Sequence, residues 1–242
     1  MKVLFIGTSD FGGVSSYVST IIKNSRNINF YLLKDNTMNN LNLNGLYPNC
    51  TFVHVPQKYS FFLFVKTLIL LRNKIINHQI DLIHAHTLRA GFQASVLKFL
   101  FCNKIKLVYT GHGLRYTQKT NFLISFIFIL FEKVTQSVSD KVIFIRKSDF
   151  LISLKNRFST SDKSIYIKTQ ISLSSNRSKR INIRDKYNIQ TKHIVMNAGS
   201  IYDLKNPDLF IDIAKKTLIY TKDITFIWFG DGDARFKLNQ ML

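Results

Sequence analysis

Hydrophobic residues in this chain fall into short continuous runs that alternate with longer stretches of helical spacing. Val3 to Ile6 is an apolar run ending at Gly7, the pattern of a parallel strand covered on both faces. From Val14 the positions Val14, Tyr17, Val18, Ile21 and Ile22 recur at helical intervals, so strand turns to helix between Gly7 and Gly13. Further strands are predicted at Asn29 to Leu33, Thr51 to Val55, Asp81 to Ala85, Lys106 to Tyr109 and Lys141 to Ile145. Helices are predicted at Tyr59 to Asn77, Leu88 to Phe101, the apolar stretch ending near Val138, and Lys147 to Arg157. Alternation of this kind predicts an α/β fold with a doubly wound parallel sheet, whose ligands bind beyond the carboxyl ends of the strands.

The pattern weakens over Ser159 to Arg180, which is rich in Ser, Lys, Arg and Asn, with Ser164 to Lys168 alone strand-like. A domain junction is therefore expected here: residues 1–170 form a first domain, 171–190 a basic linker, and 191–242 the start of a second. In that start, His193 to Asn197 reads as a strand, Gly199 as a turn, Asn206 to Tyr220 as a helix and Ile224 to Phe229 as a strand. Pro207 sits at the helix start, where its missing N–H costs nothing. Residues 191–242 are too few to close a core of the usual domain size.

Charge narrows the partners. The chain carries 34 Lys and Arg against 14 Asp and Glu, a formal +20, which points to an anionic partner: a phosphorylated substrate, an acidic membrane face or a nucleic acid. The basic residues are dispersed, with no aromatic platform among them, which argues against nucleic acid. Cys50 and Cys102 show neither a disulfide framework nor a metal-ligand spacing and suit a reducing cytoplasm. The N-terminus reads as a core strand rather than a secretion leader. Phe61 to Leu71 and Phe122 to Phe131 fall short of the roughly 20 apolar residues that a membrane span needs. Each is expected to be a buried core helix. The other use open to Phe61 to Lys74, flanked by Lys66, Arg72 and Lys74, is peripheral docking on the inner, anionic face of the cell membrane.

Three places carry the candidate chemistry. The turn after the first strand points free backbone N–H groups and the positive end of a helix dipole beyond the sheet, and Gly12 and Gly13 let an anion such as a phosphate approach closely. A plain strand-to-helix turn is the alternative. His84 and His86 end the fourth strand on one face, placed either to meet a sugar hydroxyl or to bind a metal, although a third metal ligand is lacking. Thr110-Gly111-His112-Gly113 follows the fifth strand, and its glycines fix His112 at the sheet's carboxyl edge with open backbone around it. A turn histidine satisfied by nearby carbonyls is the alternative there.

Taken in order, GGVSSYV, DLIHAHTLRAGFQAS, VYTGHGLRY, Glu132 on the helix before SDKVIFI, GSIYDLKNPDLFIDIAKK and FIWFGDGDAR resemble the glycosyltransferases of family 4. The resemblance covers nearly all of the chain. It implies a GT-B fold of two Rossmann-like domains, the second incomplete here, and a retaining enzyme that takes a sugar from a UDP- or GDP-sugar donor. It implies a lipid-linked or saccharide acceptor, and surface polysaccharide as the product. By position Gly12, Gly13 and Lys205 inherit the donor-diphosphate role and His112 the catalytic one beside the transferred sugar. His84, His86, Gly111 and Gly113 line the acceptor and sugar side. No metal or other cofactor is implied, and Asp231-Gly232-Asp233 reads as a structural turn.

Departures from the family pattern are Ser200 where an Arg is usual, Arg146 where relatives carry a Ser, and the missing Asn-Gly in IYIKTQISL. The chain also ends before the paired-glutamate motif that holds the donor's ribose and sugar. Weak or absent binding of sugar nucleotide is therefore expected of these 242 residues alone. Two other readings stand beside this one. The first is a non-catalytic remnant, or a subunit whose partner chain completes the second domain. The second is a nicotinamide-dependent oxidoreductase, with Asp35 near the end of strand two as the ribose-binding acid, although the glycine spacing is not G-x-G-x-x-G.

Overall fold

The computed structural model describes residues 1–7, 13–35, 50–55, 61–101, 104–114, 121–169 and 181–232. Packing divides the chain into two compact units, Met1–Ile171 and Ser172–Leu242. In the first, seven parallel strands are β1 (Lys2–Ile6), β2 (Asn29–Asp35), β3 (Cys50–Val55), β4 (Leu82–His86), β5 (Lys106–Gly111), β6 (Lys141–Phe144) and β7 (Ser164–Tyr166). Their spatial order is β3-β2-β1-β4-β5-β6-β7. The order reverses direction between β1 and β4, and it is outside the carboxyl ends at such a switch point that α/β sheets leave a crevice for ligands.

Helices α1 (Gly13–Asn24), α2 (Phe61–His78), α3 (Leu88–Phe101), α4 (Phe122–Val138) and α5 (Lys147–Lys155) connect the strands. Alternation along β1 sends Val3 and Phe5 to one face, where they meet Val18 and Ile22 of α1, Phe30 and Leu32. Leu4 and Ile6 point the other way. They join Ile83, Ala85, Leu107 and Tyr109 under Leu68 and Leu71 of α2 and Ala90, Ala94 and Leu97 of α3. Both faces are thus covered, as a wholly parallel sheet requires. Gly91 brings α3 and α4 together: a Cβ there would lie 2.5 Å from Thr135 Cγ2 and 2.9 Å from the Tyr109 ring.

Two expectations fail. The apolar run that opens α4 is not a buried core segment, because Phe122, Leu123, Phe126 and Leu130 are 80%, 68%, 59% and 49% exposed. The buried residues of α4 are polar: Glu132, Thr135 and Gln136. The cause is Tyr109, whose side chain reaches from β5 toward α4 and donates its hydroxyl proton to Glu132, at 3.2 Å from Oε1. The helix packs along the stripe that satisfies this hydroxyl and leaves its apolar end outside. Helix α2, also expected to be a buried core helix, is instead amphipathic, burying Thr67, Leu68, Leu71 and Ile75 while Val65, Ile69 and Ile76 face out. No helix among the described residues is long and apolar enough to cross a membrane.

The second unit holds β8 (His193–Ala198) and β9 (Ile224–Phe229), paired in parallel, and between them α7 (Pro207–Tyr220). Its described residues form a small core of Ile201, Ile211 and the partly buried Trp228. It is a Rossmann-like beginning, with Pro207 in the first turn of α7 as its ring favours. Residues read as linker include a short helix, α6 (Ile183–Tyr187), capped by the Asn182 side chain at one end and by left-handed Asn188 at the other.

Candidate functional site

The sheet's parallel register brings the candidate residues of the first unit to one carboxyl edge. β1 pairs with β4 so that Phe5 lies beside His84, and β4 pairs with β5 so that His86 lies beside Thr110. His84 and His86 share the α1 face of the sheet, their rings 4.3 Å apart and each packed on Phe5. His84 Nε2 and Thr110 Oγ1 are hydrogen-bonded at 2.7 Å. His86 Nδ1 and His112 Nε2 are hydrogen-bonded at 3.1 Å. His84 and His86 are buried, whereas His112 is partly exposed at the edge itself.

Desolvation dominates the electrostatics. Burial pushes the His84 imidazole down to about 3, helped by the nearby His112. Burial likewise holds His86 well below the ordinary histidine range, with His84 and His112 adding to the effect, and it lowers His112. All three rings are therefore neutral near pH 7. The cluster is a hydrogen-bonding device rather than a cationic one.

The glycines have distinct tasks. Gly7 adopts φ +82°, and a Cβ there would sit 2.0 Å from the His86 carbonyl oxygen, so the end of β1 presses directly on the end of β4. Gly13 begins α1, and the space that a Cβ would occupy there is open. The first turn of α1 thus brings its N–H groups to the same edge, and among the described residues nothing lies within 4 Å of where a Gly13 Cβ would be. Gly12 lies outside the described residues. Gly111 is buried at the end of β5, in ordinary contact distance of the Tyr109 ring. Gly113, at φ +126°, lies against the Arg146 guanidinium. Arg146 in turn donates from Nε to Oδ2 of the buried Asp149 at 3.0 Å.

Several neighbours of the cluster were not among the candidate site residues. Tyr17, read as a helix stripe residue, stands edge-on to His86 and to His112, with ring centroids 5.8 and 5.3 Å away. Burial raises its hydroxyl, which bonds to Thr110. Arg146, noted as a departure from the family pattern, supports the His112 turn through Gly113. Beneath the turn, Tyr109 and Gln136 both donate to Glu132, and the Ser153 hydroxyl bonds the Gln136 carbonyl. Burial pushes the Glu132 carboxyl up to about 7, against the hydrogen bonds from Gln136 and Tyr109.

Lys205 belongs to the second unit. It closes the 3-10 turn Asp203–Lys205, is exposed, and immediately precedes left-handed Asn206 and the first turn of α7. Its N–H bonds the Tyr202 carbonyl at 2.9 Å. Gly199 and Gly230, both at positive φ, meet back to back: a Cβ on Gly230 would strike the Gly199 carbonyl, which also accepts from Trp228 Nε1 at 2.8 Å. Asp231 Oδ1 accepts from the Gly232 N–H, a local turn bond, and Asp233 lies outside the described residues. Among the described residues no group of three His, Cys, Asp or Glu is arranged to hold a metal ion.

No protein-family model matches this sequence, and no curated protein matches it. Solved structures do match by shape. HepE of Anabaena, in complex with UDP and glucose, superposes with a TM-score of 0.70 at 15% identity, covering 100% of this chain and 64% of that one. The lipopolysaccharide outer core galactosyltransferase WaaB gives 0.60 at 15%, covering 99% and 71%. A putative UDP-N-acetylglucosamine 2-epimerase from Listeria monocytogenes gives 0.58 at 14%, covering 94% and 62%. The chain thus spans about two thirds of the length of these structures. It shares their fold, GT-B-like with Rossmann-like α/β units, the second incomplete.

Proposed function

We propose that this chain carries the acceptor side, and the beginning of the donor side, of a retaining glycosyltransferase similar to family 4. The reaction moves a hexose-type sugar from a UDP- or GDP-sugar to a lipid-linked or saccharide acceptor in surface polysaccharide synthesis (capsule, O-antigen or exopolysaccharide). The observation that carries this reading is the placement of His112, hydrogen-bonded to His86, at the same carboxyl edge as the N-terminus of α1. Breaking the glycosidic bond to the donor leaves a nucleoside diphosphate whose growing charge must be met as it forms. Backbone N–H groups at Gly12 and Gly13, with the Lys205 ammonium, suit that task without a metal. His112 orients the sugar.

Fold alone does not choose among chemistries, since a 2-epimerase shares it. What favours transfer is the run of motifs around Gly13, His84, His112 and Lys205. The exposed apolar start of α4, on a chain of formal charge +20, supports a peripheral position on the cytoplasmic face of an anionic membrane, where a lipid-linked acceptor is presented.

Ligand-observed NMR with UDP-glucose, GDP-mannose, UDP and NADH tests the reading. A sugar nucleotide should bind in the millimolar range, displaced by its own nucleoside diphosphate and shifting the His112 ring resonances. Binding of NADH with no response to any sugar nucleotide would replace this reading with the oxidoreductase one.

A further inference from the structure

We infer that His86 fixes His112 in its Nδ1–H tautomer, so that His112 offers its ligand a hydrogen-bond donor and not a base. The two imidazoles meet through His86 Nδ1 and His112 Nε2, 3.1 Å apart. Both are neutral, so one nitrogen carries the shared proton and the other accepts it. There are two ways to arrange this, and the rest of His86 distinguishes them.

His86 Nε2 is buried and has no hydrogen-bond partner among the described residues. If His86 donates from Nδ1, its Nε2 carries a bare lone pair. If instead His112 donates from Nε2, the single proton of His86 must sit on Nε2, as a buried N–H with no acceptor. An orphaned buried N–H is the rarer and costlier defect of the two. The first arrangement therefore prevails: His86 donates, His112 accepts at Nε2, and the proton of His112 is on Nδ1. Thr110 offers no escape, because its hydroxyl pairs with His84 Nε2 and makes no hydrogen bond to His86 Nε2. The rings are held in place by the tilted packing of His84 against His86 and by the edge of Tyr17 against both His86 and His112.

Nδ1 of His112 has no hydrogen-bond partner among the described residues, and the residue itself is partly exposed at the sheet edge. It is the nitrogen left over for a ligand, and as N–H it suits an oxygen lone pair such as that of a sugar hydroxyl. Charging His112 is disfavoured by the same geometry. An imidazolium donates from both nitrogens and would force His86 into the arrangement with the buried orphan N–H. That the oxygen belongs to a sugar rests on the glycosyl-transfer reading above; the tautomer does not.

The test is a long-range 1H–15N correlation spectrum of the full chain labelled with 15N-histidine, near pH 8, with His112 assigned by its loss in His112→Gln. The expected result is a predominant Nδ1–H signature for both His86 and His112, since the preference is the difference between the cost of an orphaned buried donor and that of an orphaned buried acceptor. His86→Asn, whose amide places a donor where Nδ1 stood, should preserve the His112 signature. His86→Phe should bring the two His112 tautomers to within a few-fold of each other. An Nε2–H signature for His112 in the unsubstituted chain overturns the inference, as does a His112 signature unmoved in a folded His86→Phe. If the variants fail to fold, the spectrum of the unsubstituted chain still decides. Because no nucleotide is involved, a chain that shows the Nδ1–H signature but binds no sugar nucleotide would defeat the proposed function and leave this inference standing.

Discussion

Glu132 is a buried acid whose removal should make the protein more stable, and by an amount that depends on pH. Its carboxyl accepts from Tyr109 and Gln136, yet burial still pushes it from an ordinary 4.5 up to about 7. A carboxyl that holds its proton longer in the folded state contributes most stability below the unfolded pKa. That contribution falls as pH rises from about 4.5 and levels off above about 7. With those two values the penalty is about 1 kcal/mol at pH 5 and about 3 kcal/mol at pH 8. Glu132→Gln removes the charge and keeps the shape: its carbonyl oxygen accepts from Gln136, and its amide donates to the Tyr109 oxygen. Urea unfolding of both proteins at pH 5 and pH 8 should therefore show the variant gaining about 2 to 3 kcal/mol on the parent between the two conditions. Histidine titrations are common to both proteins and cancel in the difference. A stability difference that stays flat with pH would refute the assignment of a raised pKa to Glu132.

The histidines predict the opposite slope. His84, at about 3 when folded, binds its proton only on unfolding, so the protein loses stability as pH falls below the ordinary histidine range, and His84→Gln should lose about 2 kcal/mol less between pH 7 and pH 5 in the same assay. Gly91→Ala gains about 0.5–1 kcal/mol of helix propensity but drives a methyl into Thr135 and Tyr109, an overpacking cost of about 1–3 kcal/mol, so the net effect is destabilising. Thr135→Ser should recover part of that loss; a Gly91→Ala protein with a raised Tm would contradict the packing described. Phe122→Ser, Phe126→Ser and Leu130→Ser together should leave the folded state intact, since all three side chains are largely exposed, and weaken binding to anionic liposomes by about tenfold or more. Binding that ignores both these changes and added salt would count against the membrane proposal.

Much of this was legible in the sequence, and the reasons are local. Four-residue apolar runs such as Val3 to Ile6 and the helical stripe after Val14 located β1 and α1, and the spacing of His84 and His86 placed both on one face. The glycines around His112 located the edge turn. What could not be read was which partner each polar group would find. Glu132 and Gln136 look like surface residues until Tyr109 is set opposite them, and Tyr17 looks like one more stripe position until β5 brings Thr110 within reach. Apolar runs are equally ambiguous, because hydrophobicity says that Phe122 to Phe131 prefers company but not that the sheet supplies it. Asn182 and Asn188 did carry capping signals for α6, masked by a composition that reads as linker.

The pressure of Gly7 on the His86 carbonyl also changes how a saturation mutagenesis map of this protein would look. Any side chain at position 7 shoves the backbone that carries His86, and with it the hydrogen bond to His112, so the position will score as intolerant for reasons of space alone. Reading abundance alongside activity at that codon separates a crowded backbone from a chemical participant.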